Sequence, residues 1–337
     1  MKIFYLGIDV SKEKLDFCLV SDSTVETELV VKNNMKSIKE SLLVLLEKYS
    51  ILQSESRLLL CAEYTGSYTY PLCCVCEELS LDLWLENPAQ IKYRSGIQRG
   101  KNDRMDARRI AIYASRFAQE ARLFALPDKI IECLKQLVSE RDLYIVEKAK
   151  FKGQLTDQKH FMDKILYQKK KKRFEKVIHE LNESISEIDK EIKDLIAGDD
   201  TLCEQHTLLC SVDGIGERTA VKMIIETNAF KDFSNPRKFC CHAGVAPFEY
   251  VSGSSQRTRN KVSNRADKSI KTLLHMAALV VATRMKGELN NYFVRKVAQG
   301  KNKMSVINAV RAKLIHRMFA VIRNKQPYQR NYVNSLA

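Results

Sequence analysis

The sequence predicts an α/β layer domain followed by a mainly helical remainder, and three observations carry that reading. Short apolar runs with the look of strands lie before Pro88. Helical spacing begins near Gly100. Between Pro127 and Pro236 there is no proline, and apolar residues recur there at intervals of three and four. Strands first and helices afterwards, in this order, give an α/β domain joined to an α region.

Taken in order, "IFYLGIDV", a polar "SKEK" and "LDFCLV" form a hairpin within residues 1 to 20. "SRLLLCAEYTG" is a buried strand running into a loop, and "LDLWLENP" is a strand stopped by Pro88. "LCCVCEEL" is one apolar helix face on which the cysteines act as small hydrophobes. From Gly100 to Ala125 the pattern is helical, with Ile110, Ala111 and Ala114 on one side, and the domain spans residues 1–126. Residues 127–200 form an arm of two long helices, antiparallel or paired between chains. Ile178, Leu181, Ile185, Ile188, Ile192 and Leu195 set a heptad seam, with a looser one from Ile131 to Lys148 and "YQKKKKRF" between the two. Two helices alone cover such a seam poorly, which predicts self-association. In residues 201–337, Gly214-Ile215-Gly216 separates two helical patterns in the manner of a helix-hairpin-helix, whose backbone amides can approach phosphate. A Gly, Ser and Arg-rich loop, a helix and a last basic helical stretch through "VINAVRAKLIHRMFAVI" follow.

Charge is segregated. The net is +15, yet from Lys231 onward 21 Lys and Arg face only four acids, so this stretch carries more than the whole surplus. Such a segment calls for a polyanion, because each neutralised phosphate releases condensed counterions. Asp9 interrupts the apolar start and no cleavage site follows, so no secretory signal is expected. No apolar run is long enough to span a membrane. The expected setting is the cytosol, with the ten cysteines reduced. The pairs Cys73/Cys76 and Cys203/His206 would have to converge to hold zinc, which the helix-face reading does not require.

Against that background, carboxylates among basic residues need a reason. Asp9 lies in a strand among buried-looking residues, and Glu63 ends an apolar strand. Asp103 and Asp106, in "GKNDRMDARR", are three apart on a helix and point the same way. Four converging carboxylates repel and raise one another's pKa unless cations bind. Two Mg²⁺ ions about 3.5–4 Å apart relieve this and serve phosphodiester chemistry. Lys101, Arg104, Arg108 and Arg109 would then hold the phosphate backbone beside the metal.

At these residues the chain resembles a known family. "GIDVSKEKLDF", "AEYTGSY", "ENPAQIKYRSGIQRGKNDRMDARRIA", "DGIGERTA" and "HAGVAPFEYVSGSS" stand here in the order seen in the insertion-sequence one-ten family. These are the DEDD transposases, related to pilin-gene invertases and to bridge-RNA-guided recombinases. The likeness runs from about residue 3 to about residue 325. It implies a RuvC-like, RNase H type N-terminal domain and a C-terminal transposase domain, on either side of the coiled-coil arm that the heptad seam predicts. The family's Asp, Glu, Asp, Asp metal set falls on Asp9, Glu63, Asp103 and Asp106, and its nucleophilic serine falls on Ser252. Asn102 stands where relatives often carry threonine, beside a ligand position and at none.

The residues support a serine there in one respect: Gly253 follows Ser252, so a backbone bend can expose the hydroxyl. Arg257 and Arg259, with Lys261, could hold the scissile phosphate, and Ser254, Ser255 and Ser263 compete for the role. The resemblance therefore implies a site-specific DNA recombinase that moves its own insertion element. It would act as a dimer or tetramer, with a non-coding RNA pairing to donor and target DNA. Two rivals remain on the residues alone: a hydrolytic junction nuclease with water as nucleophile, and a nucleic-acid scaffold without catalysis.

Overall fold

A computed structural model describes residues 2–22, 24–51, 56–94, 102–126, 128–247, 262 and 266–330, and the backbone of 251–252 and 256–257. The chain divides into two compact units, Met1–Leu126 and Pro127–Ala337.

The first unit is built on a five-stranded sheet. Strands β1 (Ile3–Val10), β2 (Lys14–Ser21) and β3 (Thr24–Lys32) form an antiparallel meander, and α1 (Met35–Lys48) leads to β4 (Arg57–Glu63). Helix α2 (Tyr70–Glu78), β5 (Asp82–Glu86), α3 (Pro88–Arg94) and α4 (Asp103–Phe117) complete it. The order is β3-β2-β1-β4-β5, with β1, β4 and β5 parallel. The period of two sorts side chains to opposite faces. On one face Leu6, Ile8, Leu15, Phe17, Leu60 and Leu83 pack with Ile38 and Leu42 of α1 and Leu72 and Val75 of α2. Cys73 and Cys76 join that core, as the apolar helix face predicts. On the other face lies α4. Its Ala107 and Ala111 meet Cys18 and Val20. Its Ile110, Tyr113 and Ala114 meet Cys61 and Trp84.

The second unit begins with α5 (Lys129–Gln158) and α6 (Lys164–Ala197). They run antiparallel within one chain: Arg141 meets Asp189, Lys148 meets Asn182 and Phe151 meets Phe174. Two expectations change here. "YQKKKKRF" lies inside α6, because lysine is a good helix former, and the chain reverses earlier, at Lys159–Asp163, where the Asp163 side chain caps α6. The seam is also partly covered without a second chain. Ile185, Ile188, Ile192 and Ile196 are all under 9% exposed, and the last three join the core of this unit with Ile131 and Leu134. Two helices of one chain, with the core behind them, thus bury part of the seam, while Ile178, Leu181 and Leu195 stay partly exposed.

Helices α7 (Asp200–Cys210), α8 (Glu217–Glu226) and α9 (Pro236–His242) follow. A two-residue-per-strand hairpin, β6 (Val251–Ser252) with β7 (Gln256–Arg257), precedes α10 (Lys268–Thr283), α11 (Glu288–Ala298) and α12 (Lys303–Asn324). Leu274, Ala278, Val310, Leu314 and Met318 of α10 and α12 fill the centre of the core. Among the described residues no helix is long and apolar enough to cross a membrane.

Candidate metal and nucleic-acid site

In the first unit the acidic residues gather on the face of the sheet that carries α4. Asp9 and Glu63 each stand one residue beyond the registered pair Ile8↔Ala62, at neighbouring ends of parallel strands. They alternate away from the Leu6–Ile8 core and towards α4. Gly7 lets the helix come close, since a Cβ there would lie 2.2 Å from the Ala107 carbonyl oxygen and from the Ala111 nitrogen. With α4 seated at Gly7, its first turn, bearing Asp103 and Asp106, faces Asp9. Asn102 caps that turn by accepting a hydrogen bond from the Arg104 amide at 3.2 Å. Carboxylates in the first turn also suit the helix dipole, which is their structural reason to be there.

The carboxyl of Asp9 records the crowding. Half-burial, and then the charges of Asp106, Asp103 and Asp16, push it up to about 6, while Lys14 pulls the other way. Asp16 and Lys14 are residues the sequence analysis did not single out. Asp16 is opposite Asp9 in the β1/β2 register and is 4% exposed. The Lys14 ammonium bridges Asp16 at 2.9 Å and Asp103 at 2.8 Å, and those bonds raise its pKa. A signal existed: with a hairpin turn at "SKEK", strand pairing places Asp16 across from Asp9. Glu86 is registered with Glu63 and accepts a hydrogen bond from the Tyr113 hydroxyl at 3.0 Å. Burial and then that bond push the Tyr113 phenol up to about 12.

The donor set consists of carboxylate oxygens, which suits a hard divalent cation such as Mg²⁺. Among the described residues no three Asp, Glu, His or Cys yet stand close enough to share one ion. The acids there are engaged by the protein's own cations: Lys14 holds Asp103, and Arg109 is ion-paired with Asp106. Arg109 is thus engaged inside the cluster, whereas Arg104 and Arg108 are exposed on α4. Lys101 lies outside the described residues.

The other residues singled out belong to the second unit. Gly214 has φ +84°, and a Cβ there would meet Val281 at 2.2 Å, so the α7–α8 turn needs glycine on both counts. Gly216 caps α8, Ile215 is buried, and Asp213 is held by Arg330 at 2.6 Å. Ser252 pairs with Gln256, and Arg257 with Val251, in the short hairpin. Arg259, Lys261, Ser254, Ser255 and Ser263 lie outside the described residues. Two polar links also went unnoticed in the sequence. His242 and Lys222 both contact Glu226, at 3.0 and 2.8 Å, and Arg311 reaches Asn308, which donates to the Val245 carbonyl. Both links fix the segment that leads into the serine hairpin.

Against known proteins, a profile of the Transposase IS116/IS110/IS902 family matches residues 206–294, and the IS110 DEDD transposase profile matches residues 6–162. The chain belongs to this family. As a transposase it is an enzyme that breaks and rejoins DNA strands. It is 25% identical over 337 residues to the pilin gene-inverting proteins of Moraxella lacunata and Moraxella bovis, covering 97% of this chain and 98% of each relative. It is 31% identical over 105 residues to the transposase for insertion sequence element IS1328 of Yersinia enterocolitica, covering 31% of this transposase and 30% of that one. Among solved structures, T. thermophilus RuvC in complex with Holliday junction substrate matches with a TM-score of 0.29 and 15% identity. That match covers 36% of this chain and 99% of RuvC.

Proposed function

We propose that this transposase cuts and rejoins DNA through a phosphoserine link formed by Ser252, with Asp9, Glu63, Asp103 and Asp106 as the metal-holding set. The observation that carries the reading is the Asp9 carboxyl, seated with α4 packed at Gly7 and raised to about 6 first by half-burial and then by the charges of Asp106, Asp103 and Asp16. Carboxylates placed to repel one another mark a site built for cations. Two bound Mg²⁺ ions would stabilise the charge that develops on the phosphate and on the leaving oxygen.

The residues themselves do the rest. The Ser252 Oγ forms a bond to phosphorus as the bond to the 3′ oxygen breaks; the serine proton goes to solvent, and the leaving 3′ oxygen takes a proton from solvent to become the 3′-hydroxyl. Because the phosphodiester is conserved in the protein–DNA link, a second 3′-hydroxyl reseals it without an external energy source. Arg104 and Arg108 of α4, Arg257 of β7 and Arg259 and Lys261 beyond it hold the backbone by charge. The amides around Gly214 and Gly216 add a helix-hairpin-helix type of phosphate contact. The basic C-terminal stretch also accommodates a guide RNA, and sequencing RNA copurified with the protein tests that part.

Trapping of covalent protein–DNA adducts tests the core of the proposal. The unmodified protein with Mg²⁺ should form an adduct, Ser252→Ala none, and Ser254→Ala, Ser255→Ala and Ser263→Ala the normal amount. Asp9→Ala, Glu63→Ala, Asp103→Ala or Asp106→Ala should each lower recombination by at least about 100-fold. Cleavage by the unmodified protein with no adduct at all would favour water as nucleophile.

A further inference from the structure

The arm formed by α5 and α6 is divided by charge in a way the metal and serine chemistry does not use. In its distal half, Lys148 to Lys176, eleven Lys and Arg face only Asp157, Asp163 and Glu175. In the α6 half nearer the core, Val177 to Ala197, Lys190 and Lys193 face six acids. A merely solubilising surface needs no such segregation on one pair of helices.

Several of the distal cations are committed within the arm. Lys148 donates to Asn182, Lys150 pairs with Glu147, Lys171 pairs with Glu175, and Lys170 donates to Gln158 and lies over Phe174. Lys169, Lys172, Arg173 and Lys176 differ. All four are exposed, and none has an ion-pair partner among the described residues. Their spacing of three, four and seven puts them on one face of α6, opposite the seam that Phe174 and Ile178 turn towards α5. That face spans about 10 Å of helix, along which a DNA duplex presents several phosphates. No aromatic side chain interrupts the stripe to stack on an unpaired base, and Phe151 and Phe174 are turned onto each other in the seam.

We infer that the outer face of distal α6, through Lys169, Lys172, Arg173 and Lys176, is a docking surface for the backbone of duplex DNA. DNA is the polyanion that a transposase necessarily meets, and the acidic half of the arm confines the contact to the distal end by repulsion. The surface reads no sequence, because lysine and arginine on phosphates give position and affinity only.

The test is the salt dependence of duplex binding by the full chain in EDTA, followed by fluorescence anisotropy with a fluorescent duplex. The variant carries Lys169→Gln, Lys172→Gln, Arg173→Gln and Lys176→Gln, exposed changes that keep helix propensity. Losing four phosphate contacts should reduce the slope of log K against log salt by about 3 to 4. Lys190→Gln with Lys193→Gln, on the acidic half, should leave the slope unchanged. Circular dichroism and solution mass should match the parent for both variants. An unaltered slope in the fourfold variant overturns the inference. So does a loss confined to RNA of equal length, or a change in solution mass with normal DNA binding, which would make the face a contact between copies.

Discussion

Asp9 is a carboxyl whose surroundings favour its protonated form in the absence of a cation. Its carboxyl titrates near 6 in the folded chain against 3.8 for an ordinary aspartate, so the folded state holds the proton more tightly. Metal-free protein should therefore be most stable below about pH 4 with respect to this group and lose stability as pH rises through 6. The group is half exposed, so the effect amounts to about 1 kcal/mol after screening. Thermal melts in EDTA should show the slope, and Asp9→Asn should remove it and raise the melting point at pH 7.5 by a few degrees. A flat profile in the parent would sink this reading of the site. Gly7→Ala makes a second prediction. Its methyl would collide with the α4 backbone, so it should cost about 1–3 kcal/mol and displace Asp103 and Asp106 from Asp9. Urea unfolding and Mg²⁺-dependent stabilisation would report the two effects separately. Asp9, Asp103 and Asp106 were legible because a carboxylate in an apolar strand and an i, i+3 acid pair need no partner strand to be noticed. Gly7 and Asp16 were not singled out, since their meaning comes from what the fold lays against them.

At the scale of elements, the seam of the arm makes the third prediction. Ile185→Lys with Ile192→Lys puts two charges into positions already buried within one chain. The C-terminal unit should lose more than about 3 kcal/mol by urea titration. A change in solution mass with an unchanged midpoint would instead locate the seam between chains. The link between α8 and α9 makes the fourth. Burial alone would raise the Glu226 carboxyl, but the bonds from His242 and Lys222 outweigh it and bring it down to about 2. A depressed carboxylate stabilises above its ordinary pKa of 4.5 and loses that contribution as pH falls towards 2. Glu226→Gln should thus weaken the fold at pH 7 by about 2 kcal/mol and make little difference at pH 2, measured by urea midpoints at both values. Heptad spacing made both long helices legible. Their junction was not, because the lysine run carries no breaker and the real turn, Lys159–Asp163, contains neither glycine nor proline. Strand β3 and helix α1 were likewise unread, since half-exposed Thr, Glu and Val give little alternation.

For the whole molecule, the division at Leu126 and Pro127 gives two units, each with its own core. The fifth prediction follows: residues 1–126, expressed alone, should fold and keep the pH slope that Asp9 confers, together with the stabilisation by Mg²⁺ expected of the proposed site. Residues 127–337 should fold without either, by calorimetry. Mg²⁺ shifting only the second fragment would move the metal site out of the first. Helices α5 and α6 have a mechanical consequence as well. Among the described residues they join the core of this unit at one end, through Ile131, Leu134, Leu137, Ile188, Ile192 and Ile196 with Val138, Tyr144 and Leu195 beside them, and run on to the turn at Lys159–Asp163. The length beyond those residues is about 35 Å, so a tilt of about five degrees at the clamp would carry the tip through about 3 Å. That travel is close to the step between neighbouring base pairs. A lever of this gearing would convert a small repacking around those side chains into motion on the scale of one nucleotide step.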